Sequence, residues 1–316
     1  ADCLTAPPPD CSGVRHGPRV PAASAVDQNR HMTTRPGILH LLAFAAEPGG
    51  GNPAGVVLDA TGLDEPRMQQ IATDLAYPET AFVTARDDRR ARVRYFSPGA
   101  EVPFCGHATI ATAVALAEAE GPGPFIFDTA AGEIALETAV DADGRVTAGF
   151  TSVDPVQSEL DAEVGRRLLG ILNLAVGDLD VRLPLAQSFA GNTHPVVAVA
   201  SRERFDSFDF DPATLRALMD ERGWAGTVMV VHAKSQDAEV FEARNLFPVG
   251  DITEDPATGS AAASLGAYLR DRVGRTAPFS FTVRQGRHVG RPSELRVDVP
   301  AGGGVRVSGT ATPLEH

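Results

Sequence analysis

The chain has 316 residues, 43% of them apolar, with 28 Lys plus Arg against 41 Asp plus Glu and a net charge of −13. That length fits two ordinary domains or one large one, and the apolar fraction supplies a real core. The acidic balance excludes a nucleic-acid or polybasic membrane-surface binder, and no apolar run approaches the roughly 20 residues of a membrane-spanning helix.

Residues 1–31 read as a tail outside the fold, non-native or disordered. Pro7, Pro8 and Pro9 stand in a row, no strand or helix period is visible, and no apolar stretch suggests a signal peptide. His31-Met32 resembles a cloning junction, which makes Met32 the expected native start, and 314–316 resembles the beginning of a purification tag. A strand is expected over 38–44 and a helix over 65–75, with Asp64 as N-cap and Pro66 in the first turn. Strands follow at 80–84 and 92–96, then a long Ala-rich helix at 107–120 stopped by Gly121-Pro122-Gly123-Pro124. Segments 125–128, 132–138 and 145–151 read as a meander with a turn at Asp143-Gly144. Beyond it the order repeats: a strand at 195–200, a helix at 212–222 capped by Asp211, strands at 227–233 and 238–247, an Ala-rich helix at 257–273, and strands at 279–284, 294–299 and 304–308.

The repeat is visible in the residues. Arg94-Tyr95-Phe96-Ser97-Pro98 leads to Cys105-Gly106-His107-Ala108, and Arg244-Asn245-Leu246-Phe247-Pro248 leads to Thr258-Gly259-Ser260-Ala261. Any two strand–loop–helix units share some likeness, but matched element order over both halves points to two similar lobes with a cleft between them. Both long helices begin at a glycine, where unpaired N–H groups and the helix dipole attract a carboxylate or phosphate. The plainer reading is capping by Ser260 and close packing at Gly106 and Gly259.

Glu79 lies between a helix and a strand among apolar residues. Partial desolvation there would raise its pKa toward the range useful for moving protons, whereas a solvated loop glutamate would do nothing. The matching second-half segment, Gly226-Thr227-Val228, puts Gly where the first half has Glu, so a single central base is more natural than a symmetric pair. His107 is a proton relay or a plain helix-start residue, and Cys105 an activated thiolate or a small buried one. Asp255 reads by itself as a helix cap. The expected counterpart of Cys105 falls near Asp255-Pro256, so a two-thiol proton swap is not available.

Three cysteines (Cys3, Cys11 and Cys105) form no CxxC pair, and the eight histidines show no HxxxH spacing. No metal site or disulfide framework is expected, and a reducing cytoplasm fits. Lys234 is the only lysine, so Schiff-base chemistry has that residue or none. Gly49-Gly50-Gly51-Asn52-Pro53 fits neither a Walker loop nor a dinucleotide fingerprint.

Five segments, in this order, resemble the phenazine-biosynthesis isomerase family (PhzF-like): Gly51-Asn52-Pro53-Ala54, Glu79-Thr80-Ala81-Phe82-Val83, Pro103-Phe104-Cys105-Gly106-His107-Ala108-Thr109, Glu254 to Ser260, and Gln285-Gly286 with Gly290-Arg291-Pro292-Ser293. The resemblance implies an α+β, diaminopimelate-epimerase-like fold. Its two pseudo-symmetric lobes, 32–148 and 149–313, each wrap a curved, mostly antiparallel sheet or barrel around a central helix, and 304–312 can return to the first lobe. It implies a cofactor-free isomerase of secondary metabolism, often a homodimer, that moves a proton within a small carboxylate substrate by acid/base catalysis. The family's acid/base glutamate, histidine and aspartate fall on Glu79, His107 and Asp255, and its anion-holding helix starts on Gly106, Gly259 and Ser260. Two alternatives remain open: an amino-acid epimerase or racemase using Cys105 with Glu79 or Asp255, and a binding or scaffold protein without turnover.

Overall fold

The computed structural model describes residues 37–249 and 252–315, and the expected tail at 1–31 lies outside them. The two Ala-rich segments are its organising pieces. Strands β1 (Ile38–Ala43) and β2 (Asn52–Val57) pair antiparallel, and helix α1 (Glu65–Leu75) crosses to β3 (Glu79–Asp87), which runs parallel to β2. Then come β4 (Arg90–Phe96), the short β5 (Glu101–Val102), helix α2 (Gly106–Glu120), and β6 (Pro124–Thr129), β7 (Gly132–Val140) and β8 (Val146–Thr151). The second half contains β9 (Val156–Ser158), α3 (Ala162–Ile171), β10 (Ala186–Phe189), β11 (Thr193–Ala198), α4 (Arg202–Ser207), α5 (Pro212–Arg222), β12 (Val228–His232), β13 (Val240–Val249) and β14 (Ile252–Asp255). It ends with α6 (Gly259–Asp271), β15 (Phe279–Gln285), β16 (Ser293–Val299) and β17 (Arg306–Pro313).

The final strand binds the sheet together. Residues of β17 pair with β8 over Arg306–Thr310, with β1 over Ala311–Pro313, and with β16 over Arg306–Ser308. With those pairings β1, β2, β3, β4, β6, β7, β8 and β17 form a closed ring. Helix α2 packs against β1, β2, β3, β7, β8 and β17, and every residue from His107 to Ala117 is buried. A helix enclosed on all sides has no polar face, and only slim side chains let strands approach it from every direction. That is the physical reason for its run of Ala and Thr. Helix α6 sits likewise against β9, β10, β11, β16 and β17.

The pairing pattern of the first half recurs in the second. β10–β11, β11–β12, β12–β13, β13–β14, β13–β15, β15–β16 and β16–β17 repeat, in order and direction, β1–β2, β2–β3, β3–β4, β4–β5, β4–β6, β6–β7 and β7–β8. Register corrects one expected correspondence. Thr80 pairs with Phe96, and Val228 pairs with Leu246. Since Phe96 matches Leu246, the residue standing where Glu79 stands is Thr227, one position after the expected Gly226. The counterpart of Cys105 is Thr258, directly before Gly259 and two residues after Pro256, as the paired segments suggest.

The fold is mixed and strand-rich, as expected, with differences in detail. Helices α1 and α5 occupy the expected residues, each capped by its aspartate and opened by a proline. Strand β2 is entirely buried, so it shows no alternation in the sequence. Helices α3 and α4 and strands β5, β9, β10 and β14 were not expected. Glu79 is the first residue of β3, not a loop residue, and Asp255 ends β14 rather than capping α6, whose N-cap is Thr258. No helix among the described residues is long and apolar enough to cross a membrane.

Gly286 shows how tightly the chain closes after β15. Its φ is +79°, and a Cβ there would stand 2.1 Å from the Arg291 carbonyl oxygen and 2.7 Å from that of Pro256. Backbone oxygens cannot step aside. Gly286→Ala is expected to cost about 2 kcal/mol or more in urea unfolding. Gly62→Ala, where no atom lies within 4 Å, is expected to change stability by less than about 0.5 kcal/mol.

Candidate active site

The starts of α2 and α6 meet. A Cβ on Gly106 would lie 3.9 Å from the Gly259 Cα, and the Phe150 ring closes off both glycines, 3.4 Å from such a Cβ at Gly106 and 3.0 Å at Gly259. The capping of these two helices sets them apart. Asp64, Asp161, Ser201 and Asp211 each accept a backbone N–H at the start of α1, α3, α4 and α5. Neither Cys105 nor Thr258 gives such a bond to its own helix. The Thr258 hydroxyl is turned back to donate to the Asp255 carboxylate, and the Thr258 amide donates to Gln285 Oε1 at 3.3 Å. Two helix ends with partial positive charge and no internal anion therefore abut. Capping by Ser260, the plainer expectation, does not occur: its hydroxyl faces His194.

Three of the expected residues gather at this junction. Glu79 Oε2 lies 3.4 Å from His107 Nε2 and 3.4 Å from Cys105 Sγ, which donates to it. The Glu79 side chain keeps 23% of its surface open, and His107 only 7%. Burial, then the negative Asp255, raise the Glu79 pKa to about 7, with the Cys105 thiol working the other way. Burial lowers His107 to about 4, so the ring is neutral near pH 7. The Cys105 thiol is pushed well above its ordinary value by burial and then by Glu79. A thiol in that state is a donor and not a nucleophile.

Asp255 joins from the other half of the chain through an asparagine that the residue patterns had left without a role. Asn52 Nδ2 donates to Asp255 Oδ1 at 2.7 Å and lies 3.3 Å from the Ala257 carbonyl and 3.2 Å from His107 Nδ1. That amide faces Nδ1, which also lies 3.3 Å from Cys105 Sγ, and the ring has a hydrogen bond to the Pro53 backbone. Burial raises the Asp255 pKa, while Thr258 and Asn52 lower it. Gln285 Nε2 donates to the Asp255 carbonyl at 2.6 Å and to Thr258 Oγ1 at 3.0 Å, which ties the turn at 285–286 to the site. The Asn52 Oδ1 atom is buried with no partner among the described residues.

A second polar network occupies the register-equivalent place. Fully buried His194 contacts Ser260 Oγ through Nε2 and Thr227 through Nδ1, each at 3.0 Å, and Thr227 Oγ1 donates to Asn245 Oδ1 at 3.1 Å. Its members are up to 66 positions apart, and the only sequence signal for it was the duplication itself. The Glu79, Cys105 and His107 ligand atoms all lie within 4.8 Å of one another. With no ion beside it, the Cys105 thiol is held protonated by burial and by Glu79.

Known proteins carry the same arrangement of elements. Residues 41–316 match the phenazine biosynthesis-like protein family, PhzC-PhzF. An uncharacterized isomerase of Deinococcus radiodurans is 36% identical, over 85% of this chain and 90% of its own. The trans-2,3-dihydro-3-hydroxyanthranilate isomerase of Pseudomonas chlororaphis is 29% identical, over 79% of this chain and 86% of its own. Among solved structures, the PhzF-family phenazine biosynthesis protein of Bacillus anthracis superposes with a TM-score of 0.78 at 27% identity, covering 88% of this chain and 96% of that one. A hydroxyproline epimerase of Agrobacterium vitis, at 14% identity, shares the fold alone, with a TM-score of 0.58 over 88% of this chain and 90% of that one. The fold and relatives define an isomerase. The chain belongs to the phenazine biosynthesis-like, PhzF-type family.

The raised Glu79 pKa fixes a sign for stability. Between 4.5 and about 7 the folded protein keeps a proton that the unfolded chain has released, so this group's contribution falls as pH rises through that window. His107 and His194, both lowered to about 4, act oppositely and cost stability as pH falls from 6.5 toward 4. Glu79→Gln is expected to stabilise the protein by about 1–3 kcal/mol at pH 8 and by little at pH 4.5, measured in urea titrations. Equal shifts at both pH values would mean that the carboxyl is not held neutral.

Proposed function

We propose that this isomerase works without a cofactor, moving a proton from one carbon to another of a small carboxylate held between two pseudo-symmetric lobes. Glu79 is the base. Its carboxylate takes a proton from an activated C–H, the electron pair passes into the substrate's conjugated system, and the new Glu79 acid returns the proton to a different carbon. Atoms and charge balance within one substrate, so no outside reactant enters. The amides at Gly106, Gly259 and Ser260 hold the carboxylate, and neutral His107 and protonatable Asp255 orient its polar groups or relay protons.

One observation carries this reading: a carboxyl with a pKa of about 7 beside two uncapped helix starts that abut. A base poised near neutrality combines a useful ionised fraction with a useful driving force. The register match adds to it. Where the first half has Glu79 and His107, the second has Thr227 and Ser260, so one side supplies the base and the other a neutral hydroxyl. A two-base racemase needs a proton-bearing group on each face. Cys105 is close enough to Glu79 to be the second, but it lies on the same side of the repeat, and its counterpart is Thr258.

The relative's substrate, trans-2,3-dihydro-3-hydroxyanthranilate, is the first compound to test. Glu79→Gln is expected to lose at least about 100-fold in kcat with binding retained. In the wild type, kcat/KM is expected to fall about tenfold per pH unit below about 7 as Glu79 takes up a proton. Turnover in D₂O is expected to place deuterium at the carbon that gains the proton only to the extent that the Glu79 acid exchanges with solvent before returning it, and dialysis against a chelator to leave the rate unchanged. Full activity of Glu79→Gln would remove the mechanism. Exchange at a stereocentre that is abolished in Cys105→Ser would favour the racemase.

A further inference from the structure

The side chains around the base bring together a carboxylate oxygen, a sulfur and an imidazole nitrogen, and proton transfer uses that set only in part. We infer that Glu79, Cys105 and His107 form a binding site for a zinc-class divalent cation, and that an ion seated there inhibits the enzyme by occupying the base. The inhibition rests on the role proposed for Glu79; the binding does not.

The distances match those around a zinc ion. Cys105 Sγ and Glu79 Oε2 lie 3.4 Å apart, Glu79 Oε2 and His107 Nε2 3.4 Å, and Cys105 Sγ and His107 Nε2 3.8 Å. Tetrahedral zinc, with bonds of about 2.3 Å to sulfur and about 2.0–2.2 Å to nitrogen and oxygen, sets these three edges at about 3.4–3.6 Å. Sulfur and imidazole select zinc over magnesium or calcium, which take oxygen donors. Three protein ligands leave the fourth position to water, and Glu79, with 23% of its side chain open, lies on the way in. Only Cys105 and His107 are neighbours in sequence. Glu79 arrives on β3, so spacing alone gives no sign of the site.

His107 is already supported as a ligand. Its ring bonds to the Pro53 backbone, where a proline offers only a carbonyl, so one ring nitrogen donates its proton there. The two hydrogens of the Asn52 amide go to the Asp255 carboxylate and the Ala257 carbonyl, which leaves the lone pair of the other ring nitrogen unclaimed. Either nitrogen can serve, since Nδ1 lies 3.3 Å and Nε2 3.8 Å from Cys105 Sγ. A backbone carbonyl on the second nitrogen is how ligand histidines are commonly held.

Charge favours the filled site. Zinc displaces the Cys105 thiol proton, and any proton on Glu79, to solvent, and the two resulting anions cancel the charge of the ion. Burial opposes each anion alone but not a neutral assembly. The sulfur also stands at the N-cap of α2, where the helix end favours a thiolate. In the second half the equivalent residues Thr227, Thr258 and Ser260 offer hydroxyls only.

The test uses the full chain carrying Cys3→Ser and Cys11→Ser, which leaves Cys105 as its sole thiol. Cobalt(II) is expected to produce the near-ultraviolet charge-transfer band of a metal–thiolate bond and the intense visible bands of a four-coordinate ion, and zinc to displace it. In zinc titration calorimetry Cys105→Ser is expected to weaken binding at least about 100-fold, and Glu79→Gln and His107→Gln at least about tenfold each. Zinc is expected to slow turnover of trans-2,3-dihydro-3-hydroxyanthranilate in step with occupancy, and a chelator to restore it. A cobalt complex without the thiolate band, or zinc affinity unchanged in the three variants, overturns the site. Zinc that binds with all three ligands and leaves turnover intact overturns the inhibition and the assignment of Glu79 as base. A chain that turns over and takes up no ion overturns the site and leaves that assignment standing. If the compound is not turned over, the spectrum and the calorimetry decide the site by themselves.

Discussion

Two helix ends of like partial charge, brought against each other with no cap from the N-cap residue of either, set the terms for this molecule. Left to themselves the ends of α2 and α6 repel. They are held together because both helices are buried along nearly their whole length and packed against the surrounding strands. Four other helices accept a carboxylate or hydroxyl cap; these two do without. The energy withheld from local capping, about 1 kcal/mol for each helix, remains available to an anion that arrives from outside.

That constraint also explains the behaviour of the nearby titrating groups. A carboxyl beside such ends would ordinarily be acidic. Glu79 is not, because loss of water and the neighbouring Asp255 outweigh the favourable contacts. Cys105, His107 and Asp255 are all driven toward their uncharged forms by the same loss of water. Burial thus disfavours charge on each of these groups, which limits the repulsion a negatively charged guest would meet.

Much of this was legible before any coordinates. The aspartate and proline at the starts of α1 and α5 name those helices outright, and the two Ala-rich stretches announce buried helices. The duplication, with Cys105-Gly106-His107 set against Thr258-Gly259-Ser260, pointed to the junction itself. The partner of Glu79 in the second half was displaced by one residue, because only strand pairing sets register. Asn52 and His194 stayed out of sight for a related reason. Each acts through contacts across 33 to 203 positions, and a lone asparagine in a glycine-rich loop or a lone histidine in a strand carries no local mark of that. Strand β2 escaped because complete burial erases the alternation by which strands are recognised.

The last strand has a consequence for how the molecule comes into being. Residues Arg306–Pro313 are the stave that completes the ring begun by β1, so that ring cannot shut until a strand from far along the chain has emerged. Until then the apolar surface of α2 lies in an open trough and needs shielding. Loss of β17 would accordingly open the ring of the first half, which precedes it by most of the chain.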